Sequence, residues 1–406
     1  MRKLNAELMK KYAELIIKVG VNMQRGQYVV ISSDITHYGF VRILTETAYE
    51  NSAREVIVDW YDDIITHERY LHCDDFILNS IYEWRIKFFE EFDKRDACYI
   101  GINNYTLYNF NDIEIDKFKV VRLATNTHLS YHKHLLNEFK LQWVTVELPS
   151  VEWAAKVFPD TSPDEAYQKL CEVFIKINRL DSEYPISAWK QHTESLIKVC
   201  HNLKSLKIKR LTFENSLGTC FSLDLPEQHD WIGGVVESQN SVIFTPNIPT
   251  EEIFTAPQKM SVNGKVCVTR PIYYNGKLIR DIELIFEDGK VVKSNASING
   301  DLLDKLIDTD EGARYMGEIA LVSEKQAAFY KDIFFYNNLY DENASCHFAL
   351  GRAYPKCLKE SLTKEPGENN TDILNDSAIH IDLMFGTSDL NIKATTQDNE
   401  IVKIDI

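Results

Sequence analysis

Residues 28–60 read YVVISSDITHYGFVRILTETAYENSAREVIVDW. The runs YVVISS (28–33) and REVIVDW (54–60) are rich in β-branched and aromatic residues and are as long as a typical buried strand. Between them, VRILTETAYE (41–50) has apolar residues at helical spacing. The stretch therefore predicts a strand–helix–strand unit, in which the two strands are parallel neighbours in one sheet.

The same alternation continues on both sides of this stretch. An amphipathic helix precedes it at the N-terminus, and strand-like runs follow at 97–102, 118–124 and 142–148, separated by helical patterns. This predicts an α/β domain with a parallel sheet. Neither G-x-G-x-x-G nor G-x-x-x-x-G-K-[ST] follows any of these strands, which argues against nucleotide binding.

The second half of the chain has a different pattern. Two helical segments within 162–204 predict a connector, with the domain boundary near 185–205, so we expect an α/β domain over 1–195 and a second domain over 196–406. Short alternating strands follow, and three turn dipeptides punctuate them: Asn263-Gly264, Asn275-Gly276 and Asp288-Gly289. The second domain is therefore predicted to be α+β and mostly antiparallel.

Charge and cysteine content narrow the class of protein. The 406 residues carry a net charge of −16, which argues against nucleic-acid or anionic-membrane partners, because these need basic patches. The eight cysteines are dispersed without a C-x-x-C pair, so we expect reduced thiols. The N-terminus has no apolar signal region, and no run of 18 apolar residues occurs. We expect a soluble, cytoplasmic protein.

A second stretch, DENASCHFALGRAY (341–354), carries chemistry. It places Glu342, His347 and Tyr354 among small residues that allow a backbone to approach a site closely. A carboxylate and an imidazole together suit zinc, cobalt or manganese. Taken alone, such a pair is more often ordinary polar surface.

Three further motifs strengthen the metal interpretation. PTEEIFTAP contains Glu251 and Glu252, YMGEIAL contains Glu318, and the strand-like HIDLMFGTSDL contains His380 and Asp382. Side chains two apart in a strand share a face, so His380 and Asp382 can bind one ion or two neighbouring ions. By the same rule only one of the two adjacent glutamates faces the site if they are extended.

With Glu342 and His347, these motifs supply four carboxylates and two imidazoles. That number exceeds the needs of one tetrahedral ion and fits two divalent ions about 3.5–4 Å apart. The sequence thus predicts a dinuclear hydrolase centre in the second domain.

Four motifs together resemble a known family. NIPTEEIFTAP, GARYMGEIALV, DENASCHFALGRAY and HIDLMFGTSDL are similar, in order and spacing, to the motifs of the aminopeptidase T family of dinuclear metal-dependent aminopeptidases. LPEQHDWIGG and VEWAAKVFPD resemble lesser motifs of the same family. The resemblance covers most of residues 150–390.

The resemblance implies roles for individual residues. It implies six metal ligands, namely Glu252, Glu318, Glu342, His347, His380 and Asp382. It also implies that Tyr354 contacts the substrate carbonyl or oxyanion, and we assign Glu251 as a general base or a supporting residue.

The implied reaction is removal of an N-terminal residue from a short peptide with a free amine, by water activated on two divalent ions (zinc, cobalt or manganese). The resemblance also implies a homodimer that encloses the active site. Two alternatives stay open: a catalytically inactive metal-binding or scaffolding relative, and another dinuclear hydrolase such as a dipeptidase or amidase.

Overall fold

The structure, a computed structural model, describes residues 4–103, 110–274, 276–359 and 373–405. Asn275, half of one predicted turn dipeptide, lies outside these ranges. The chain forms two compact units: residues up to Glu194 together with Gly234–Thr250, and Ser195–Gly233 together with Glu251 onward. The predicted division at 195/196 did not include the return of Gly234–Thr250 to the first unit.

The first unit is built on a parallel sheet. Its strands are β1 (Tyr28–Asp34), β2 (Glu55–Tyr61), β3 (Cys98–Asn103) and β4 (Trp143–Glu147), in the order β2-β1-β3-β4. All neighbouring pairs are parallel, as the alternation of strands and helices predicts.

Helices connect these strands and lead toward the second unit. They are α1 (Ala6–Leu15), α2 (Tyr38–Glu50), α3 (Asp63–His72), α4 (Asp75–Leu78), α5 (Glu83–Asp93), α6 (Ile115–His128), α7 (Ser130–Asn137), α8 (Val151–Val157), α9 (Pro163–Ile177) and α10 (Pro185–Ser205). Within the described ranges, no helix is long and apolar enough to span a membrane.

One predicted strand of the first unit is wrong. The run at 118–124 lies inside helix α6. Its Phe118 ring packs against Tyr70 at 5.0 Å and Phe110 at 5.8 Å, between ring centroids. A short apolar run does not by itself distinguish a strand from a helix, and here tertiary packing favours the helix.

The remaining strands follow in chain order. They are β5 (Ile208–Glu214), β6 (Cys220–Asp224), β7 (Ile232–Gly233), β8 (Val236–Glu237), β9 (Ile243–Phe244), β10 (Glu252–Thr255), β11 (Asn263–Cys267), β12 (Ile272–Tyr274), β13 (Lys277–Ile279), β14 (Glu283–Glu287), β15 (Lys290–Asn295), β16 (Met316–Val322), β17 (His347–Gly351), β18 (His380–Met384), β19 (Asn391–Thr396) and β20 (Ile401–Ile404). The short helices α11 (Gly300–Ile307), α12 (Glu324–Ala327) and α13 (Asn338–Asp341) lie among them.

The second unit contains two main antiparallel sheets. One has five strands in the order β18-β17-β16-β10-β7, and the other has seven in the order β15-β14-β11-β6-β5-β19-β20. The predicted fold class, an α/β region followed by a mostly antiparallel α+β region, is confirmed.

One face of the five-stranded sheet is packed into the core of the second unit. Phe348 of β17 contacts Phe286 of β14 at 6.0 Å between ring centroids. At Gly233, an added Cβ would lie 2.8 Å from the Cys200 Sγ of α10, so glycine permits this close helix–sheet contact. The opposite face is therefore the one available for chemistry.

Candidate metal centre

The candidate ligands project from four strands onto one face of the five-stranded sheet. Glu252 opens β10, Glu318 lies within β16, His347 opens β17, and His380 and Asp382 alternate along β18. The register places Glu318 opposite Ala349, which is itself opposite Asp382. Directly paired residues of antiparallel strands share a face, so a small side chain separates two carboxylates.

These five side chains form two overlapping groups. Glu252, Glu318 and His347 make one group, and Glu318, His380 and Asp382 make the other; within each group, one ligand atom from each residue lies within 4.8 Å of the others. Glu318 belongs to both, because its Oε1 lies 3.9 Å from the His347 Nε2 and its Oε2 lies 3.7 Å from the His380 Nε2. One carboxylate thus offers an oxygen to each group.

Backbone carbonyls orient both imidazoles. The Nδ1 of His347 donates to the Ser345 carbonyl at 3.2 Å, and the Nδ1 of His380 donates to the Arg352 carbonyl at 2.7 Å. Because a carbonyl can only accept, each Nδ1 carries a proton, and each Nε2 faces the carboxylates, where it can carry a second proton or bind a metal ion. This arrangement is common for metal-binding histidines.

The closest contact in the site needs a cation. The Glu252 Oε2 lies 2.8 Å from the His347 Nε2, and both side chains are buried. Two lone-pair atoms at that distance repel each other unless a proton or metal ion shares them. Nitrogen and oxygen donors of this kind fit zinc and related divalent ions.

The electrostatics of the cluster also favour added positive charge. Burial, reinforced by Glu252, raises the pKa of Glu318 to about 8. Burial lowers the pKa values of His347 and His380, but the surrounding carboxylates outweigh this effect and raise both to about 9. Without a metal the cluster therefore retains protons, which divalent ions would replace.

Glu342 lies beside these groups rather than inside them. It is buried in the turn that follows α13, where the preceding Asp341 accepts backbone N–H bonds from Phe335 at 2.8 Å and Asn337 at 3.0 Å. Burial raises the pKa of Glu342 well above its usual value, and the neighbouring Glu252 carboxylate raises it further. Glu342 thus adds a fourth carboxylate next to the two groups.

Glu251 faces different partners. Its Oε1 accepts a hydrogen bond from the Tyr330 hydroxyl at 3.3 Å, and it belongs to neither group of three. Its backbone N–H donates to the Asn343 Oδ1 at 2.6 Å, while the Asn343 Nδ2 donates to the Leu339 carbonyl at 2.8 Å. Asn343 was not predicted as a site residue, although it lies inside the DENASCH motif beside Glu342.

Tyr354 lies at the edge of the site. Its ring is 5.5 Å from the His380 ring and 5.7 Å from the Phe254 ring, between centroids. Burial and the nearby Glu318 and Asp382 carboxylates raise the pKa of Tyr354 well above its ordinary value. The phenol therefore stays protonated and able to donate a hydrogen bond at neutral pH.

Two imidazoles and three carboxylates on one sheet face, with the Glu342 carboxylate on the adjacent turn, define a metal-dependent hydrolase as the class that this site fits. The family model described as thermophilic metalloprotease (M29) matches residues 5–405, and the chain therefore belongs to that family.

Relatives of the chain are aminopeptidases. Aminopeptidase 2 of Geobacillus stearothermophilus is 36% identical over 390 residues, which cover 96% of this chain and 94% of that protein. Aminopeptidase T of Thermus aquaticus is 31% identical over 402 residues, covering 98% and 97%. The solved structure of wild-type AmpT from Thermus thermophilus superposes with a TM-score of 0.88 at 29% identity, covering 98% and 97%.

These comparisons confirm the family predicted from the four motifs. The prediction of a metal-dependent aminopeptidase, a hydrolase acting on peptide bonds, is confirmed at the level of the family and its relatives. The individual ligand and catalytic roles stay predictions.

Proposed function

We propose that this chain removes the N-terminal residue from short peptides at a dinuclear centre formed by Glu252, Glu318, Glu342, His347, His380 and Asp382. The observation that carries the proposal is the position of Glu318, whose two oxygens face different histidines. A carboxylate shared in this way supports two adjacent ions rather than one. When bound, zinc, cobalt or manganese ions would lower the pKa of water and polarise a carbonyl.

The protein groups have separate tasks in this proposal. The two Nδ1–carbonyl bonds hold the imidazoles of His347 and His380 in the ligating tautomer. The Tyr354 hydroxyl donates a hydrogen bond to the oxyanion that develops on the substrate carbonyl. Glu251, buried beside Tyr330, accepts a proton or supports the Glu252 backbone.

The ligand set supports specificity for a free amine. The free amine of a peptide can coordinate a bound ion in its neutral form or pair with a carboxylate as an ammonium group. An acetylated N-terminus lacks that charge and is larger. This difference between free and acetylated peptides would restrict cleavage to the free N-terminus, which is exopeptidase action.

We also propose a cytoplasmic homodimer. All eight cysteines lie in the described ranges and are free thiols, which fits a reducing compartment. The first unit exposes large apolar side chains at Phe76 (84% exposed), Ile65 (69%) and Trp84 (62%), which a partner subunit would cover.

Matched peptides test the proposed reaction. A tripeptide amide and its N-acetyl form are incubated with the metal-loaded protein, and the products are analysed by mass spectrometry. We expect sequential release of residues from the free N-terminus, no cleavage of the acetylated peptide, loss of activity with a chelator, and recovery with added divalent metal. Glu318→Gln, which is nearly isosteric, is the control for activity from this site.

Several outcomes would contradict the proposal. Internal cleavage, or equal rates on the free and acetylated peptides, would favour an amidase or endopeptidase. Absence of turnover in a protein that binds metal would favour an inactive metal-binding relative.

A further inference from the structure

The site face of the five-stranded sheet continues past the ligands into an apolar surface. On β10, Phe254 is two residues after Glu252 and shares its face. The register places Phe254 between Ile232 of β7 and Ala320 of β16. Phe254 therefore lies in the same layer of side chains as the carboxylates, about 7 Å along the strand from Glu252.

The exposure of individual residues shows which part of this face is open. Glu252, Glu318 and His347 are buried, whereas Phe254, Tyr354 and His380 are each partly exposed. The rings of Phe254 and Tyr354 therefore belong to the partly exposed part of the site, next to His380.

The apolar surface rests on a packed base. Ile232, Phe254 and Tyr354 pack against a buried cluster formed by Ala256, Ala353, Cys357, Leu358 and Leu374. A ring supported in this way has a defined position, which a side-chain subsite needs. Phe254 thus offers a partly exposed aromatic ring two residues along β10 from the candidate ligand Glu252.

We infer that Phe254, together with Ile232, forms the surface on which the side chain of the substrate's N-terminal residue packs, so that large apolar N-terminal residues are preferred. The inference rests on the proposed function. The N-terminal residue carries the scissile carbonyl, and Tyr354, proposed to contact that oxygen, lies 5.7 Å from the Phe254 ring. The side chain attached one atom away from this carbonyl is therefore placed against Phe254.

The physical basis is burial of apolar surface. A leucyl or phenylalanyl side chain removes area from water against Phe254 and Ile232, whereas an alanyl side chain removes little. Selectivity between substrates that differ by a few methylene groups is commonly about 10- to 200-fold in kcat/KM. We expect the wild-type protein to favour leucyl over alanyl substrates by about ten-fold or more.

Aminoacyl arylamides with one constant leaving group test this inference. We measure kcat/KM for leucyl and alanyl arylamides with wild-type protein, Phe254→Ala and Ile232→Ala, and metal content in each. Phe254→Ala should reduce the leucyl/alanyl ratio about ten-fold while bound metal stays near wild type. Ile232→Ala should shift the ratio in the same direction by less.

A control and a second substrate pair complete the test. Leu217→Ala removes an apolar side chain that is 59% exposed in the turn between β5 and β6, and it should leave the ratio unchanged. Leu-Ala and Ala-Leu amides show which substrate position is affected. If the ratio is unchanged in both variants, or if the second residue alone responds, the inference is overturned.

Failure of the proposed function would give a different result. In that case the metal-loaded wild-type protein would cleave none of the arylamides. A wild-type protein that cleaves alanyl and glycyl arylamides faster than leucyl ones would overturn the subsite while leaving the aminopeptidase assignment intact.

Discussion

At the scale of single residues, orientation distinguishes this site from a chance cluster of polar groups. Each histidine uses Nδ1 for a backbone carbonyl and leaves Nε2 for the cluster. Glu318, which is 4% exposed, then faces both Nε2 atoms. Burial of so many ionisable groups is unfavourable unless a cation compensates, so the arrangement itself favours bound metal.

The role of Tyr354 can be separated from those of the ligands. Tyr354→Phe removes only the hydroxyl, so bound metal and KM should stay near wild type. One lost oxyanion donor typically lowers kcat about 10²- to 10³-fold. Steady-state kinetics with metal analysis check this expectation.

Tyr315→Phe provides the control, because that ring packs against Lys259 at 4.9 Å and belongs to none of the candidate ligand groups. If Tyr354→Phe instead loses bound metal, the tyrosine acts as a ligand and the proposed role is wrong.

The candidate ligands could be proposed from the sequence because their side chains are of the types that bind metal ions. Glutamate, aspartate and histidine residues in four motifs are recognisable without a fold. Asn343 carries no such signal, since its bond to the Glu251 N–H joins residues 92 positions apart. Phe254 likewise reads as an ordinary strand residue until the register places it beside the site.

At the scale of elements, the five-stranded sheet sets the spacing of the ligands. Ala349 of β17 lies between Glu318 of β16 and Asp382 of β18 and is fully buried. Its methyl group leaves room above the sheet that a larger side chain would occupy. The small residue is therefore part of the site although it binds nothing.

Enlarging this position should disturb the centre. Ala349→Leu adds three carbon atoms where the carboxylates converge, and overpacking of this kind typically costs about 1–3 kcal/mol. We expect metal affinity and kcat/KM to fall at least about ten-fold.

Ala349→Gly keeps the space and should bind metal nearly as well as the wild type. Metal titration and thermal unfolding of both variants provide the measurement. Wild-type metal affinity in Ala349→Leu would show that the site does not occupy this face.

The period of apolar residues in the sequence predicted an element correctly where polar and apolar side chains alternate along a strand, and it failed where they do not. The alternation in HIDLMFGTSDL corresponds to β18, with His380 and Asp382 on one face. The run at 118–124 has no such alternation, and helix α6 forms there because Phe118 packs against other aromatic rings. Local sequence does not encode that contact.

At the scale of the whole molecule, the change from an α/β region to a mostly antiparallel region was predictable, and the path of the chain was not. The change from strand–helix alternation to short antiparallel strands marks two units. Nothing in Gly234–Thr250 indicates that the segment returns to the first unit. There the Thr145 N–H donates to the Pro246 carbonyl at 2.8 Å, a pairing between residues far apart in sequence.

All eight candidate site residues lie in the second unit, from Glu251 onward. The central claim is therefore that this unit holds two divalent ions on one sheet face and that Glu318 serves both. The proposed oxyanion contact of Tyr354 and the proposed substrate surface at Phe254 both depend on that claim.

The claim of two ions is tested most directly by elemental analysis. The purified protein is loaded with zinc, cobalt or manganese and dialysed, and the number of metal ions per chain is measured. We predict two ions per wild-type chain and a clearly lower number in Glu318→Gln, with the first unit still folded by circular dichroism. A wild-type chain that retains no divalent ion, or a metal content that Glu318→Gln leaves unchanged, would contradict the account.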